Sequence, residues 1–335
     1  MDQSLLLGAP TYYRIRPRRS TRERLVLRLG GWRKEGVAIQ NIKVYLLISV
    51  LRVCSLLPLR LAHGLGMAIG KLAWVRQTES ARITRKNLSL CFPQLTEPQL
   101  NELAAQSLVE TAKTACELGR VWIRSAPQAL EHIVRVSGQE ILDEAIDADR
   151  GVIMLAPHLG NWELCGLFLD SQCQSTYLYK PPKLIAFEQR MLAYRGRLGA
   201  KLAPTTAKGV AMLVKALGRG EIVGILPDQE PNPDSGLFAP FFGVDALTMT
   251  LVAKLAKRTE ATVLSIFAKR LEEGEGFEVV IARARPEIDA VDLDVAARAL
   301  NATVEDCVRQ APSQYQWEYR RFKHQADGTK NALYR

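Results

Sequence analysis

The stretch Val152-Ile153-Met154-Leu155-Ala156-Pro157-His158-Leu159-Gly160-Asn161-Trp162-Glu163 decides how the chain is read. A continuous apolar run bounded by proline and glycine fits a strand buried on both faces. Asn161 then opens a helix as its cap. The same texture continues outward. Apolar runs at Ser175–Tyr179, Ile222–Leu226, Thr262–Ala268 and Phe277–Ala282 alternate with helical patterns at Ile185–Leu198, Gly209–Leu217, Met249–Lys257 and Val291–Arg309. Strand–helix alternation of this kind predicts an α/β domain, its sheet flanked by helices.

In open α/β sheets, functional groups gather beyond the carboxyl ends of the strands. His158 sits at such an end, and Gly160 permits a tight turn after it. Glu163 falls in the first turn of the next helix, where it would fold back onto the imidazole. A carboxylate on one ring nitrogen fixes the tautomer and leaves the other nitrogen as a general base. A histidine satisfied by its turn is the plainer alternative. Asp228 ends the run Ile222–Leu226 after Pro227, where it would cap a loop or take a functional role at the strand end.

Charge is unevenly placed along the 335 residues. Residues 1–86 hold 17 Lys/Arg and 4 Asp/Glu, whereas the remainder holds 28 and 31. This excludes a nucleic-acid groove spread over the fold and points to something anionic meeting the front end. Residues 1–35 read as an Arg-rich arm, either solvated or lying on an anionic leaflet. Residues 36–86 form a membrane-associated helical segment. Lys43 and Arg52 leave only eight uncharged residues between them, and Pro58 interrupts the pattern. An interfacial helix pair fits this better than a clean span, although snorkelling by Arg52 keeps a short span open. Residues 87–335 make up the α/β domain. Gly64, Gly66 and Gly70-Lys71 lack Walker spacing and read as close helix packing. The six cysteines show neither CxxC pairs nor metal-ligand spacing, so they read as reduced thiols in a cytosolic setting, with no metal and no cofactor.

His158-x-x-x-x-Glu163 is the HX4(D/E) pattern of glycerolipid-type acyltransferases. The chain from about residue 40 to 325 resembles the lipid A late acyltransferase family of lipopolysaccharide biosynthesis. The ordered set that carries this includes Asn87-Leu88, Cys91-Phe92-Pro93, Tyr179-Lys180-Pro181 and Arg195-Gly196-Arg197. It continues through Pro227-Asp228-Gln229, Pro240-Phe241-Phe242-Gly243 and Gln314-Tyr315-x-Trp317-x-x-Arg320-Arg321-Phe322-Lys323.

The resemblance implies a glycerolipid-acyltransferase-like mixed sheet with a membrane-directed helical portion before it. It also implies acyl transfer from an acyl carrier protein thioester to a hydroxyl of a lipid A precursor. The expected place is the cytoplasmic side of the inner membrane. His158 would take the hydroxyl proton, and Glu163 would orient it. Direct attack agrees with the absence of a G-x-S-x-G elbow. Arg195 matches the family's arginine and would meet the oxyanion or a phosphate, with Arg197, Lys180, Asn161 and Asp228 as further substrate contacts. Phe238 and the pair Phe241-Phe242 read as core or as one wall of an acyl groove. Two alternatives are another acceptor, such as an ornithine lipid or glycolipid, and a membrane-binding protein without catalysis.

Overall fold

The computed structural model describes residues 42–182, 185–327 and 329–334, so the Arg-rich arm 1–35 lies outside the described residues. The chain divides into a unit ending at Leu46, of which 42–46 are described and helical, and a second unit from Leu47 onward. Residues 42–56 are helical (α1), followed by α2 (Leu59–Val75), α3 (Glu79–Cys91) and the long α4 (Glu97–Ile123). Thr96 and Gln99 form a capping box at the start of α4, with Pro98 in its first turn. A Cβ on Gly66 would stand 2.6 Å from Lys113 Cα, and one on Gly70 would stand 2.4 Å from Val109 Cα. Gly66 and Gly70 therefore let α2 lie directly on α4, the packing role the sequence suggests for them, whereas a Cβ on Gly64 would meet nothing within 4 Å.

The outer face of this layer stays apolar. Val50, Val53 and Leu56 on α1 and Leu61, Leu65, Leu72 and Val75 on α2 are exposed. No described helix is long and apolar enough to cross a membrane.

A short α5 (Ala126–Leu130) leads into β1 (Ile133–Ser137), α6 (Gln139–Asp147), β2 (Val152–Leu155), α7 (Trp162–Gln172) and β3 (Ser175–Tyr179). Then come α8 (Ile185–Arg195), β4 (Lys201–Pro204), α9 (Ala207–Leu217), β5 (Ile222–Ile225) and the hairpin β6 (Gly236–Phe241) and β7 (Val244–Met249). The chain continues through α10 (Leu251–Thr259), β8 (Thr262–Arg270), β9 (Phe277–Arg283) and α11 (Leu293–Gln310). The seven-stranded sheet has the order β1-β9-β8-β2-β5-β3-β4. Only β8 and β9 pair antiparallel, so the sheet is mixed but mostly parallel, as expected of the fold class.

Every residue of the central strands β2 and β5 is buried, which accounts for their unbroken apolar runs. The strands that composition does not announce are the edge strands and the hairpin. β1 is half exposed and carries Arg135, while β4 is four residues long with an exposed Lys201. The β6–β7 turn is Phe242-Gly243, with φ of 49° and 79°. Positive φ at both turn positions is the type I′ geometry usually supplied by Asn-Gly. Here the hydrogen bond from Phe242 N–H to Glu305 Oε1 (2.7 Å) helps hold a residue that disfavours it.

Candidate active site

The sheet brings two strand ends together. Leu155 lies beside Ile225 in the parallel β2–β5 register, and each strand runs on through a proline, Pro157 or Pro227, to a polar residue. Those residues are His158 and Asp228. The His158 backbone N–H donates to Asp228 Oδ2 (2.8 Å), and His158 Nδ1 meets Asp228 Oδ1 (2.8 Å). Asp228 is 3 % exposed. Burial alone would raise its carboxyl, but the imidazole and the His158 amide hold it below the ordinary carboxylate value. A carboxylate can only accept, so in the neutral ring Nδ1 carries the proton and Nε2 presents its lone pair. Nε2 faces the Gln229 amide nitrogen at 3.2 Å, which donates to it. The ring also packs on Trp162, their centroids 5.0 Å apart.

Glu163 is not the ring's hydrogen-bond partner. Its Oε2 accepts from Arg195 Nε (3.0 Å) and Trp122 Nε1 (3.1 Å), while Arg195 Nη2 bonds Oε1. Desolvation opposes this buried charge, yet Arg195 outweighs it and the carboxyl lies below its ordinary value. When the His158 ring is protonated, its charge adds to that lowering through space. The orienting role expected of Glu163 therefore falls, in geometry, to Asp228. The reason is topological: Glu163 points off α7 towards α8, whereas Asp228 comes from the neighbouring strand.

The other expected site residues separate. Arg195 lines the site, but in a bidentate pair with Glu163 rather than as a free cation. Arg197 lines a cavity along α7 while its guanidinium donates to the carbonyls of Val121 (2.5 Å) and Trp122 (3.4 Å) in the last turn of α4, acceptors that a helix end leaves open. Lys180 is exposed beyond β3. Asn161 is fully buried as the cap of α7, accepting from Leu164 N–H (3.1 Å) and donating to Glu117 (3.0 Å), so it offers nothing to a substrate. Phe241 and Phe242 belong to the aromatic core with Phe92, Tyr315, Trp317 and Phe322. They are packing, not the wall of a groove.

A cavity does exist elsewhere. It runs along α7 from Trp162 and Glu163 to Leu169 and Asp170, with about 660 Å³ of empty space partly open to solvent. The nine residues of α7 from Trp162 to Asp170 span roughly 12 Å along the helix. Its walls are largely apolar, including Trp122, Met154, Leu167, Leu178 and Leu226. Trp162 thus joins the ring of His158 at one end to an apolar slot at the other. Among the described residues no cluster of His, Cys, Asp and Glu is placed to hold a metal. All six cysteines are free, and Cys173 is the only one not buried.

An imidazole held by a carboxylate at one nitrogen has the geometry of a general base, and Trp162, which packs on its ring, also lines the apolar cavity. Comparison with known proteins places the chain further. The family model for bacterial lipid A biosynthesis acyltransferases matches residues 33–324. The chain is 29 % identical over 286 residues to a lipid A biosynthesis lauroyltransferase of Escherichia coli K12, covering 84 % of this chain and 91 % of that one. It is 30 % identical over 294 residues to that organism's palmitoleoyltransferase (86 % and 92 %), and 24 % identical over 284 residues to its myristoyltransferase (84 % and 87 %). The chain belongs to the bacterial lipid A biosynthesis acyltransferase family, as its ordered motifs suggest.

Proposed function

We propose that the protein moves a fatty acyl chain from an acyl carrier protein thioester to a hydroxyl of a lipid A precursor, with His158 as general base and Asp228 as its anchor. The observation that carries this reading is the His158–Asp228 pair on adjacent strand ends, its ring packed on Trp162, which also lines an apolar cavity. The acceptor hydroxyl takes the place of the Gln229 amide at Nε2. Nε2 removes the hydroxyl proton as the oxygen attacks the thioester carbonyl. The tetrahedral oxyanion then collapses, the carbon–sulfur bond breaks, and the imidazolium returns its proton to the departing thiolate. Asp228 stabilises the imidazolium throughout. The fatty chain lies along α7, and the Arg195–Glu163 pair forms part of the wall beside it.

In the supporting experiment, the purified full chain is mixed with an acyl-carrier thioester and a lipid A precursor in micelles, and products are read by mass spectrometry. The expected product is the precursor plus one acyl ester, with free carrier thiol in equal amount. Thiol release without acylated lipid would overturn the transfer. Acylation of an ornithine lipid or glycolipid in preference to the precursor would overturn the acceptor.

Chain length offers a separate check. A Cβ on Gly166 would meet only the Tyr177 ring, at an ordinary 3.8 Å, so a larger side chain there projects into the slot without backbone conflict. Gly166→Leu is expected to shift preference towards shorter donors. Each excluded methylene is worth about 0.8 kcal/mol, or about fourfold in relative kcat/KM. Unchanged competition between donors of different length would place the chain elsewhere.

The membrane reading draws on the exposed leucines and valines of α1 and α2, interspersed with exposed Arg52, Arg60, Lys71 and Arg76. Apolar side chains among cations suit a helix layer lying in the interface of an anionic bilayer, here the cytoplasmic face of the inner membrane. The triple change Leu61→Glu, Leu65→Glu, Leu72→Glu is expected to lower partition onto anionic phospholipid vesicles by more than ~10-fold while far-UV circular dichroism stays unchanged. Undiminished binding would remove this surface from the account.

A further inference from the structure

Behind the turn that presents His158 lies a buried ionic cluster that the transfer mechanism does not use. Its centre is Glu117 on α4, with a side chain 1 % exposed. Oε1 meets His63 Nε2 from α2 (2.6 Å) and also accepts from Arg270 Nε on β8. Oε2 accepts from Arg270 Nη2 (2.8 Å) and from Asn161 Nδ2 (3.0 Å). The same Arg270 bonds Glu110, which Lys113 also pairs (2.7 Å), and donates to Thr114 Oγ1 (2.7 Å). Thr114 Oγ1 in turn lies 3.3 Å from the Gly160 carbonyl. Desolvation works against the buried carboxyl, yet Arg270 and His63 bring it down to about 2.

The turn itself has little room to settle any other way. Gly160 has φ of 58°, and a Cβ there would stand 2.0 Å from the Ala268 carbonyl oxygen. Gly160 N–H donates to Gln314 O (3.0 Å) and Asn161 N–H donates to Ala268 O (2.9 Å). Gln314 clamps Arg270 through both its backbone groups (2.8 and 2.9 Å). A buried ion cluster of this kind is a poor source of stability, since apolar replacements are often as stable or more so. What it supplies here is direction. One carboxylate oxygen serves the turn after His158, and the other serves the helix whose outer face is apolar.

We infer that Glu117 is a positioning residue for the transfer reaction: it holds Asn161, and with it the 158–161 turn that aims His158, and it ties that turn to His63 on α2. The inference rests on the reading of His158 as the base. Glu117 touches no substrate, and its effect passes through the placement of Nε2. Misplacement by about 1 Å costs up to ~10²-fold in rate even when it originates away from the chemistry.

The test compares Glu117→Gln, Asn161→Ser and the double variant in the full chain, with kcat and KM measured for acyl-carrier donor and lipid acceptor and His158→Ala as reference. Serine caps a helix about as well as asparagine, so Asn161→Ser removes the tie to Glu117 while keeping α7 capped. Each single variant is expected to lose ten- to a hundredfold in kcat with both KM values within about twofold of wild type. Because they break one link, the double variant is expected to be no slower than the slower single one. Unchanged kcat in Asn161→Ser, or losses that multiply in the double, would overturn the positioning role. Should Glu117→Gln fail to fold, Asn161→Ser decides alone by its kcat. Wild-type turnover by His158→Ala would instead overturn the base on which the inference stands.

Discussion

His158→Ala retains the fold, binds donor and acceptor, and loses transfer by about 10²–10⁴-fold, the usual contribution of a positioned general base. The fold survives because His158 lies beyond β2 rather than in it, and its main-chain bonds do not need the ring. Its N–H still reaches Asp228 Oδ2, and its carbonyl still accepts from Gln316 N–H (3.0 Å). The removed ring leaves Asp228, 3 % exposed, without the partner that lowers its carboxyl. Some loss of thermal stability accompanies the loss of rate, and binding of substrates to the variant separates the two. Full turnover in the alanine variant would mean that the hydroxyl is deprotonated elsewhere.

Asp228→Asn is expected to be nearly as damaging, on the order of 10³–10⁴-fold in kcat, the scale of the corresponding tautomer error in a serine protease triad. The asparagine oxygen can still accept from the His158 backbone N–H. Its amide, however, donates towards Nδ1, which moves the ring proton to Nε2 and leaves no lone pair facing the hydroxyl. The change is nearly isosteric, so thermal stability and substrate KM stay close to wild type. Glu163→Gln takes a different route, because it strands part of the Arg195 charge and slackens the wall shared with Trp122. Its expected signature is a lowered melting temperature with a raised KM for the acyl donor.

Much of this arrangement was legible in the residues alone. The unbroken apolar runs of β2 and β5 mark central strands because both their faces are covered, and a polar residue after each proline marks a strand end. What the sequence does not contain is which strands are neighbours. Ala156-Pro157-His158 and Leu226-Pro227-Asp228 are written alike, and that likeness was the available hint that the two ends stand side by side. Nearness along the chain favoured Glu163 instead, whereas the parallel β2–β5 register favours Asp228. The fold also separates the two readings of Phe241 and Phe242, as core or as one wall of an acyl groove. Phe241 and Phe242 look like a wall because they are aromatic, but a φ of 49° at Phe242 turns the hairpin into the core. The cavity along α7 is lined by residues scattered over β2, β3, β5, α4, α7 and α8, which no local pattern gathers. The buried Glu117 cluster joins three elements far apart in sequence and was equally out of reach. Edge strands such as β4 stayed hidden because a half-exposed strand needs no apolar run.

The account turns on which ring nitrogen of His158 carries the proton. With only four histidines in the chain, nitrogen NMR of the ring-labelled protein can resolve them, and a His158→Gln sample identifies the resonance of interest. The expected spectrum shows a protonated Nδ1 and a bare Nε2 in the wild type, with the proton transferred to Nε2 in Asp228→Asn. A wild-type ring protonated on Nε2, or one indifferent to Asp228→Asn, would contradict it.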